Sequence, residues 1–224
     1  MTTTRKPITG HDAGVSLPFR YRTASRLLRL LAGLLLYGVS IQFQLASALG
    51  NQPWSVLDQG VSRHTGLSVG VVVVIVAALV LLCWIPLRQR PGLGTIANLL
   101  IIGPAVDATA LVLPTPHGLP LRVAYLLAGI MLCAAATGLY IGAHFGPGPR
   151  DGLMTGLAKR GLSIRLARTL IEVTVVVAGI ALGGTFGVGT ILFAVTIGPL
   201  AQLFIPLFAV RAPAASPALN PAPA

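Results

Sequence analysis

The amino-acid sequence predicts an all-α integral membrane protein with six transmembrane helices, arranged as two inverted repeats of three helices. Three observations support this prediction. Of the 224 residues, 54% are hydrophobic and only 9% are charged. The apolar residues form runs of about 20, which suit a hydrocarbon core of roughly 30 Å. Lysine and arginine concentrate between these runs, and short motifs recur at a nearly constant separation.

The first half of the chain contains three predicted helices. A basic segment at residues 1–26 comes before the first apolar run, which is too long for a signal-peptide core. The second predicted helix ends near Pro86 and the third near Pro114, because proline cannot continue a helix. The predicted helices cover residues 27–49, 67–85 and 95–113. Residues 27–113 therefore form the first predicted repeat.

The second half of the chain follows the same plan. An extracytoplasmic linker at residues 114–120 leads into the second predicted repeat, residues 121–210. Its predicted helices cover residues 121–144, 166–182 and 188–210. The last segment, residues 211–224, is rich in alanine and proline and is predicted to be a disordered cytoplasmic tail.

The distribution of charge predicts the orientation of the chain in the membrane. With both termini in the cytoplasm, only Arg63 and Arg122 of the 16 lysines and arginines fall outside, as the positive-inside rule requires. We interpret the net charge of +11 as a topology signal rather than a nucleic-acid-binding surface. The predicted location is the cytoplasmic membrane of a bacterium, with the lipid bilayer as the main partner.

An internal repeat relates the two halves. Residues 31–33 match residues 127–129 at an offset of 96, and Gly103 matches Gly198 at an offset of 95. Each repeat contains an odd number of helices, so the second enters the membrane from the opposite side. The polar connectors at residues 50–68 and 146–163 are then equivalent segments on opposite faces.

Four segments resemble a known family. They are PWSVLDQGVSRHTGLSVG (53–70), IPLRQRPGLGTIANLLIIG (85–103), GPGPRDGLMTGL (146–157) and GGTFGVGTILFAVTIGP (183–199). With these segments the chain resembles the YczE/YitT-like bacterial integral membrane proteins, and it is closer to the short YczE branch because the soluble C-terminal domain of the YitT branch is absent. The resemblance implies a multi-pass membrane protein and does not indicate a substrate.

The dipeptide Arg150-Asp151 is a candidate anion site. It follows Pro149 at a predicted helix start, where free amides attract anions and an aspartate can cap them. The alternative is a structural helix at the membrane surface, with Arg150 and Asp151 paired to each other. The repeat has Trp54-Ser55 at the equivalent position, so a function specific to this connector should reside in the dipeptide.

Asp107 is a candidate for proton or cation coupling, because a carboxylate within an apolar run must be protonated, paired or hydrated. It shares the predicted third helix with Asn98, and its equivalent in the second repeat is Gln202. The alternative is an acid that bonds to a neighbouring helix or lies near the outer interface. A second acid, Glu172, follows Arg168 by four residues, and a local ion pair is the favoured interpretation. The alternative is a functional carboxylate that faces the Arg150 region.

Two polar stripes lie on predicted helices. Gln44 belongs to the first helix and Tyr140 to the fourth, each on a single face with other polar residues. Such stripes indicate either interhelical hydrogen bonds or the lining of a polar path. Cys83 and Cys133 lie within apolar runs, and no metal-ligand or cofactor motif is visible.

The leading functional hypothesis is a small transporter or exporter of a polar or anionic metabolite, and not an enzyme. It depends on the inverted repeat and on the polar residues that interrupt the helices. The alternatives are a non-transporting assembly or regulatory partner of another complex, or the substrate-binding subunit of a larger uptake system. A protein partner or homo-oligomer is compatible with each, and we expect no cofactor and no metal.

Overall fold

The computed structural model describes residues 22–210, which form eight α-helices and no strand. The predicted tail at residues 211–224 and most of the predicted basic segment at residues 1–26 lie outside the described residues. In chain order the helices are α1 (Thr23–Ser47), α2 (Pro53–Thr65), α3 (Val69–Leu87), α4 (Leu93–Val112), α5 (Leu119–Gly142), α6 (Pro149–Ala158), α7 (Ile164–Ala181) and α8 (Val188–Phe208). The prediction of an all-helical chain is confirmed for this part.

Five helices are long and apolar enough to cross a membrane, namely α1, α3, α4, α5 and α8. They correspond to five of the six predicted spans, with ends that differ by a few residues. The predicted fifth span is α7, a helix of 18 residues that falls outside this group. Its sequence is more polar because it contains Arg165, Arg168 and Glu172.

The other two helices, α2 and α6, lie in the two polar connectors. They have 13 and 10 residues, so at about 1.5 Å per residue both are too short to cross a membrane. Each begins with a proline in its first turn, Pro53 in α2 and Pro149 in α6. Proline suits this position because its φ is already helical and its missing N–H has no partner to lose.

Each helix of the first half has a counterpart in the second half. The starts of α1 and α5, and of α2 and α6, are 96 residues apart, and those of α3 and α7, and of α4 and α8, are 95 apart. We call residues related by these separations repeat counterparts. Ser68 and Ser163, for example, cap α3 and α7 identically, each accepting the backbone N–H three residues later.

Backbone turns recur at the same separations. Ten described residues have a positive φ, and they form five pairs of repeat counterparts. The pairs are Arg22 and Gly118, Ala48 and His144, Gly50 and Gly146, Gly66 and Gly161, and Arg88 and Gly183. Each pair lies at matching helix ends, so the two halves share turn conformations even where one side has a side chain and the other has glycine.

Two arginines join α1 to α5. Arg26 at the start of α1 donates to the carbonyls of residues 143–144 at the end of α5, at 2.9 Å each. Its repeat counterpart Arg122 at the start of α5 donates to the carbonyls of residues 47–48 at the end of α1, at 2.7 and 2.8 Å. We call the two ends of the bundle the Arg26 end and the Arg122 end.

Packing around the central α1 and α5 follows the repeat with one exception. The two helices touch at Gly33 and Gly129, which are repeat counterparts, and an added Cβ at Gly33 would lie 2.8 Å from the backbone nitrogen of Tyr140. α4 packs on α1 as α8 packs on α5, and α2 packs on α7 as α6 packs on α3. The exception is that α3 packs along α4, whereas α7 makes no comparable contact with α8.

Candidate functional site

The beginning of α2 lies deep inside the bundle. The carbonyl of Leu49 accepts the Gly189 N–H at the Arg122 end, at 2.9 Å. Three residues later the Gln52 N–H donates to Gln44 Oε1 of α1 at 3.2 Å, and the Cys133 thiol of α5 donates to Gln52 Oε1 at 3.9 Å. Residues 50–56 are all buried. The chain therefore turns into the bundle before α2 returns toward the Arg122 end.

The beginning of α6 enters the bundle in the same way from the Arg26 end. The carbonyl of Pro149 accepts the indole N–H of Trp84 in α3 at 3.0 Å, and that of Pro147 accepts the Thr95 hydroxyl of α4 at 2.7 Å. Gly152 packs directly on the Trp84 ring, since an added Cβ would lie 1.9 Å from its Cζ2. These contacts fix the first turn of α6 against α3 and α4.

An ion pair connects these two short helices. Arg150 Nη2 of α6 lies 2.9 Å from Asp58 Oδ2 of α2, and the Asp58 side chain is fully buried. The guanidinium also stacks on the Trp54 ring, 4.8 Å from its centroid. Asp58 Oδ1 and Trp54 Nε1 are buried and have no hydrogen-bond partner among the described residues. Trp54 is the repeat counterpart of Arg150, so the two equivalent positions touch each other.

Asp151 is held separately from Arg150. It accepts the Tyr140 hydroxyl of α5 at 2.5 Å, and the Tyr140 ring meets the Tyr37 ring of α1 edge to face, with centroids 6.1 Å apart. The alternative in which Arg150 and Asp151 pair with each other does not describe this arrangement, because each has a partner on a different helix.

A small cavity of about 40 Å³ adjoins the ion pair on the side of the Arg26 end. Its polar lining comes from Tyr37, Asn98, Tyr140, Arg150 and Asp151. Four of these five residues belong to the set that the sequence indicated, so the structure brings Asn98, Tyr140, Arg150 and Asp151 together. Gln44 lies on the same side of α1 as Tyr37, two turns away, in the network around Gln52.

Burial changes the proton affinity of the carboxylate in the ion pair. Desolvation raises the pKa of Asp58 to about 6, and the Arg150 guanidinium acts in the opposite direction. The pair can therefore exist as two charges or as a neutral acid beside an arginine within an accessible pH range. Hydrogen-bond donors, the long and flexible cationic side chain of Arg150 and the protonatable Asp58 carboxyl group meet at this point. This combination suits anion binding coupled to proton transfer.

The other predicted site residues lie elsewhere. Asp107 is near the Arg122 end, where it accepts the Ser68 hydroxyl at 2.6 Å and the Gly70 N–H at 2.8 Å, and so joins α4 to the start of α3. Glu172 pairs with Arg168 at 2.8 Å on the same face of α7. Gln202 is exposed on α8. Each of the two acids therefore has a hydrogen-bond or ion-pair partner.

Sequence reasoning missed Asp58 and Trp54. Both belong to the polar connector at residues 50–68, in which no site residue was predicted. The sequence feature that could have indicated them was the repeat, because it makes Trp54 the repeat counterpart of Arg150. Among the described residues no group of three or more His, Cys, Asp or Glu side chains is arranged to hold a metal ion.

Comparisons with known proteins place the chain among membrane proteins of uncharacterised activity. Residues 24–206 match the model of a family of unknown function, DUF6198. An uncharacterized protein of Haemophilus influenzae is 39% identical over 191 residues, covering 85% of this chain and 86% of the relative.

Two Bacillus subtilis proteins are also similar. The uncharacterized membrane protein YczE is 31% identical over 78% of this chain and 83% of its own length, and the uncharacterized protein YyaS is 29% identical over 78% and 90%. No solved structure matches the chain. The family match and the identity to YczE confirm the resemblance found in the motifs, and the chain belongs to the YczE-like membrane proteins of the DUF6198 family.

Proposed function

We propose that this protein is a small transporter of a polar, anionic metabolite, built from six spans in two inverted three-helix repeats. The observation that carries the proposal is the buried Asp58–Arg150 ion pair, which joins the second turn of α2 to the first turn of α6, two short helices that enter the bundle from opposite ends. Broken or short helices at equivalent positions of two inverted repeats are typical of transporter binding sites.

The position of α7 supports a sixth span. Near its start, the α6–α7 turn bonds to the end of α3, where Lys159 donates to Gln89 at 3.1 Å. Beyond its other end, the Gly183 carbonyl accepts from Arg63 of α2 at the Arg122 end. The helix therefore connects the same two ends as α3, and its 18 residues extend about 27 Å. Its charged residues lie in its first half, toward the Arg26 end.

Charge supports an orientation with the Arg26 end in the cytoplasm. Apart from the central Arg150, the described lysines and arginines concentrate there, and only Arg63 and Arg122 lie at the opposite end. The positive-inside rule then places both predicted tails in the cytoplasm of a bacterium.

The electrostatics of the centre favour an anion. The N-terminal ends of α2 and α6 both face the middle of the bundle, and each contributes a partial positive charge from its free amides. Arg150 adds a full charge, which Asp58 balances when no ligand is present. Asn98 and Tyr140 supply further polar groups beside the same cavity.

Flux into proteoliposomes tests this function. Purified protein would be screened for counterflow of labelled small carboxylates, phosphates, neutral amides and amines. We expect saturable flux of an anion class, and we expect Arg150→Gln to lower it at least tenfold, because a charge-assisted contact contributes roughly 1.5–3 kcal/mol. Arg90→Gln, at an exposed arginine of the α3–α4 turn, is the matched control and should retain the flux.

Two results would contradict the proposal. One is the absence of flux for every class in vesicles whose protein is folded and correctly inserted. The other is a flux that Arg150→Gln leaves at the level of the control.

A second candidate function is a membrane subunit that binds another protein, and α8 favours it. Gln202 exposes an amide on a helix that is otherwise apolar, and an added Cβ at Gly198 would meet nothing within 4 Å. Amides and small residues on one helix face favour contact with another helix. Co-purification of a stoichiometric partner that Gln202→Leu removes would support this function, together with the absence of flux.

A further inference from the structure

Asp58 is an unusual carboxylate because it is buried with only half of its hydrogen-bonding capacity used. Oδ2 contacts Arg150, whereas Oδ1 has no partner among the described residues. A buried charge whose single partner leaves would carry a large desolvation cost. The carboxyl group can avoid that cost by taking up a proton, so its protonation depends on where the Arg150 guanidinium lies.

No other described cation competes for this carboxylate. On α2 itself Arg63 and His64 lie in the exposed last turn. On α7, Arg168 is paired with Glu172, and Arg165 is exposed in the first turn. The titratable thiol of α3, Cys83, is exposed. On α6, Asp151 is bonded to Tyr140. Arg150 is therefore the group that decides whether Asp58 is stable as an anion.

Arg150 also lines the 40 Å³ cavity, together with Asn98 and Tyr140, whereas Asp58 is not among the lining residues. Arg150 therefore adjoins both the cavity and the Asp58 carboxylate. A carboxylate or phosphate group entering this cavity competes directly with Asp58 for the same cation.

We propose that Asp58 is the proton-binding site of the transport cycle, and that it takes up one proton each time Arg150 transfers from it to an anionic substrate. The Asp58 carboxylate gains a proton and becomes a neutral acid, while Arg150 keeps its charge and pairs with the anion. For a substrate with one negative charge the site is neutral before and after this step, so one proton accompanies each substrate and the coupled transport is electroneutral. This inference rests on the proposed function for its substrate.

Trp54 provides a readout that needs no knowledge of the substrate. The chain has two tryptophans, so the Trp84→Phe variant leaves Trp54, beneath the Arg150 guanidinium, as the sole indole. We expect its emission to show one transition between pH 8 and pH 4.5. The transition should be lost in Trp84→Phe with Asp58→Asn and retained in Trp84→Phe with Glu172→Gln. Added acetate, a small carboxylate probe, should move it to higher pH, and Arg150→Gln should abolish that movement.

A second measurement avoids the Trp84 substitution, which removes a hydrogen bond to Pro149. Infrared difference spectra of the otherwise unmodified protein between the same pH values should contain the carbonyl band of a protonated carboxyl group, and Asp58→Asn should remove that band. A transition that persists in Asp58→Asn would overturn the inference. So would the absence of any transition, by fluorescence and by infrared spectroscopy, in protein that retains Asp58. Both measurements are independent of flux, so their failure and the failure of the transport assay are distinguishable.

Discussion

Arg26 and Arg122 show how a single residue type can join the two halves of this protein. Each guanidinium donates to two carbonyls at the end of the opposite central helix, where backbone oxygens have no intrahelical partner. Arg26 is also buried and lies over the Phe145 ring, 4.4 Å from its centroid. Arg122, one of the two arginines predicted to lie outside the cytoplasm, therefore has a structural role at the start of α5.

We expect Arg122→Leu to lower the stability of the protein by about 3 kcal/mol, since it leaves two carbonyls near the membrane without their charged donor. The measurement is the thermal midpoint in detergent, followed by size-exclusion fluorescence. Arg90→Leu, which removes an exposed arginine, is the control and should change the thermal midpoint of the unsubstituted protein by no more than about 1 °C. Equal midpoints for the two variants would show that the helix-end contacts are not stabilising.

Asp107 was a candidate for ion coupling, and its contacts suggest a different test. Because it accepts one hydroxyl and one backbone N–H at the start of α3, Asp107→Ala should destabilise the protein by about 1–2 kcal/mol, the usual size for a lost cap. Asp107→Asn should retain most of the stability that Asp107→Ala loses, since an amide can still accept from the Gly70 N–H and donate to the Ser68 hydroxyl. Thermal midpoints of the two variants check the prediction; a flux loss in Asp107→Asn at full stability would instead support coupling.

At the scale of elements, the two halves differ most where α3 packs along α4. An added Cβ at Gly103 of α4 would lie 2.4 Å from the Gly70 carbonyl of α3, whereas at Gly198, its repeat counterpart on α8, nothing lies within 4 Å. The position corresponding to Gly70 on α7 is Arg165, which is too large for such an approach. Arginine in place of this glycine is one reason why α7 does not pack along α8 as α3 packs along α4.

Matched alanine substitutions test this difference. Gly103→Ala should cost about 1–3 kcal/mol because it forces α3 and α4 apart. Gly198→Ala should be neutral or slightly stabilising, because alanine favours a helix over glycine. Both effects are measured as thermal midpoints in the same detergent, and a similar loss in both variants would contradict the packing described for α8.

Sequence reasoning predicted the five apolar spans α1, α3, α4, α5 and α8 because they depend on local patterns of apolar residues. It did not find that α2 and α6 begin inside the bundle. The segment around Asp58 is polar, and burial of such a segment depends on partners far along the chain, namely Arg150, 92 residues after Asp58, and Thr185, about 130 residues after the segment, which local composition does not contain. The sequence indicated Arg150-Asp151 as a candidate site in two ways, because the dipeptide follows Pro149 at a predicted helix start and because it differs from Trp54-Ser55 in the repeat.

At the scale of the whole molecule, labelling tests the six-span inverted topology. In a background with Cys83→Ala and Cys133→Ala, single cysteines would replace His64, Lys159 and Phe186, all outside the predicted spans. A membrane-impermeant maleimide applied to intact cells should label positions 64 and 186 and should label position 159 only after permeabilisation. Labelling of position 186 only after permeabilisation would mean that α7 does not cross the membrane.

The contacts exchanged between the halves have a consequence for the order of synthesis. The carbonyls of residues 47–49 at the end of α1 are completed by Arg122 and Gly189, which the ribosome adds about 75 and 140 residues later. Until then the first half is in the bilayer with unpaired backbone oxygens, which are costly there. The first three spans therefore cannot finish folding when they are inserted, and the last helix to be made completes the first.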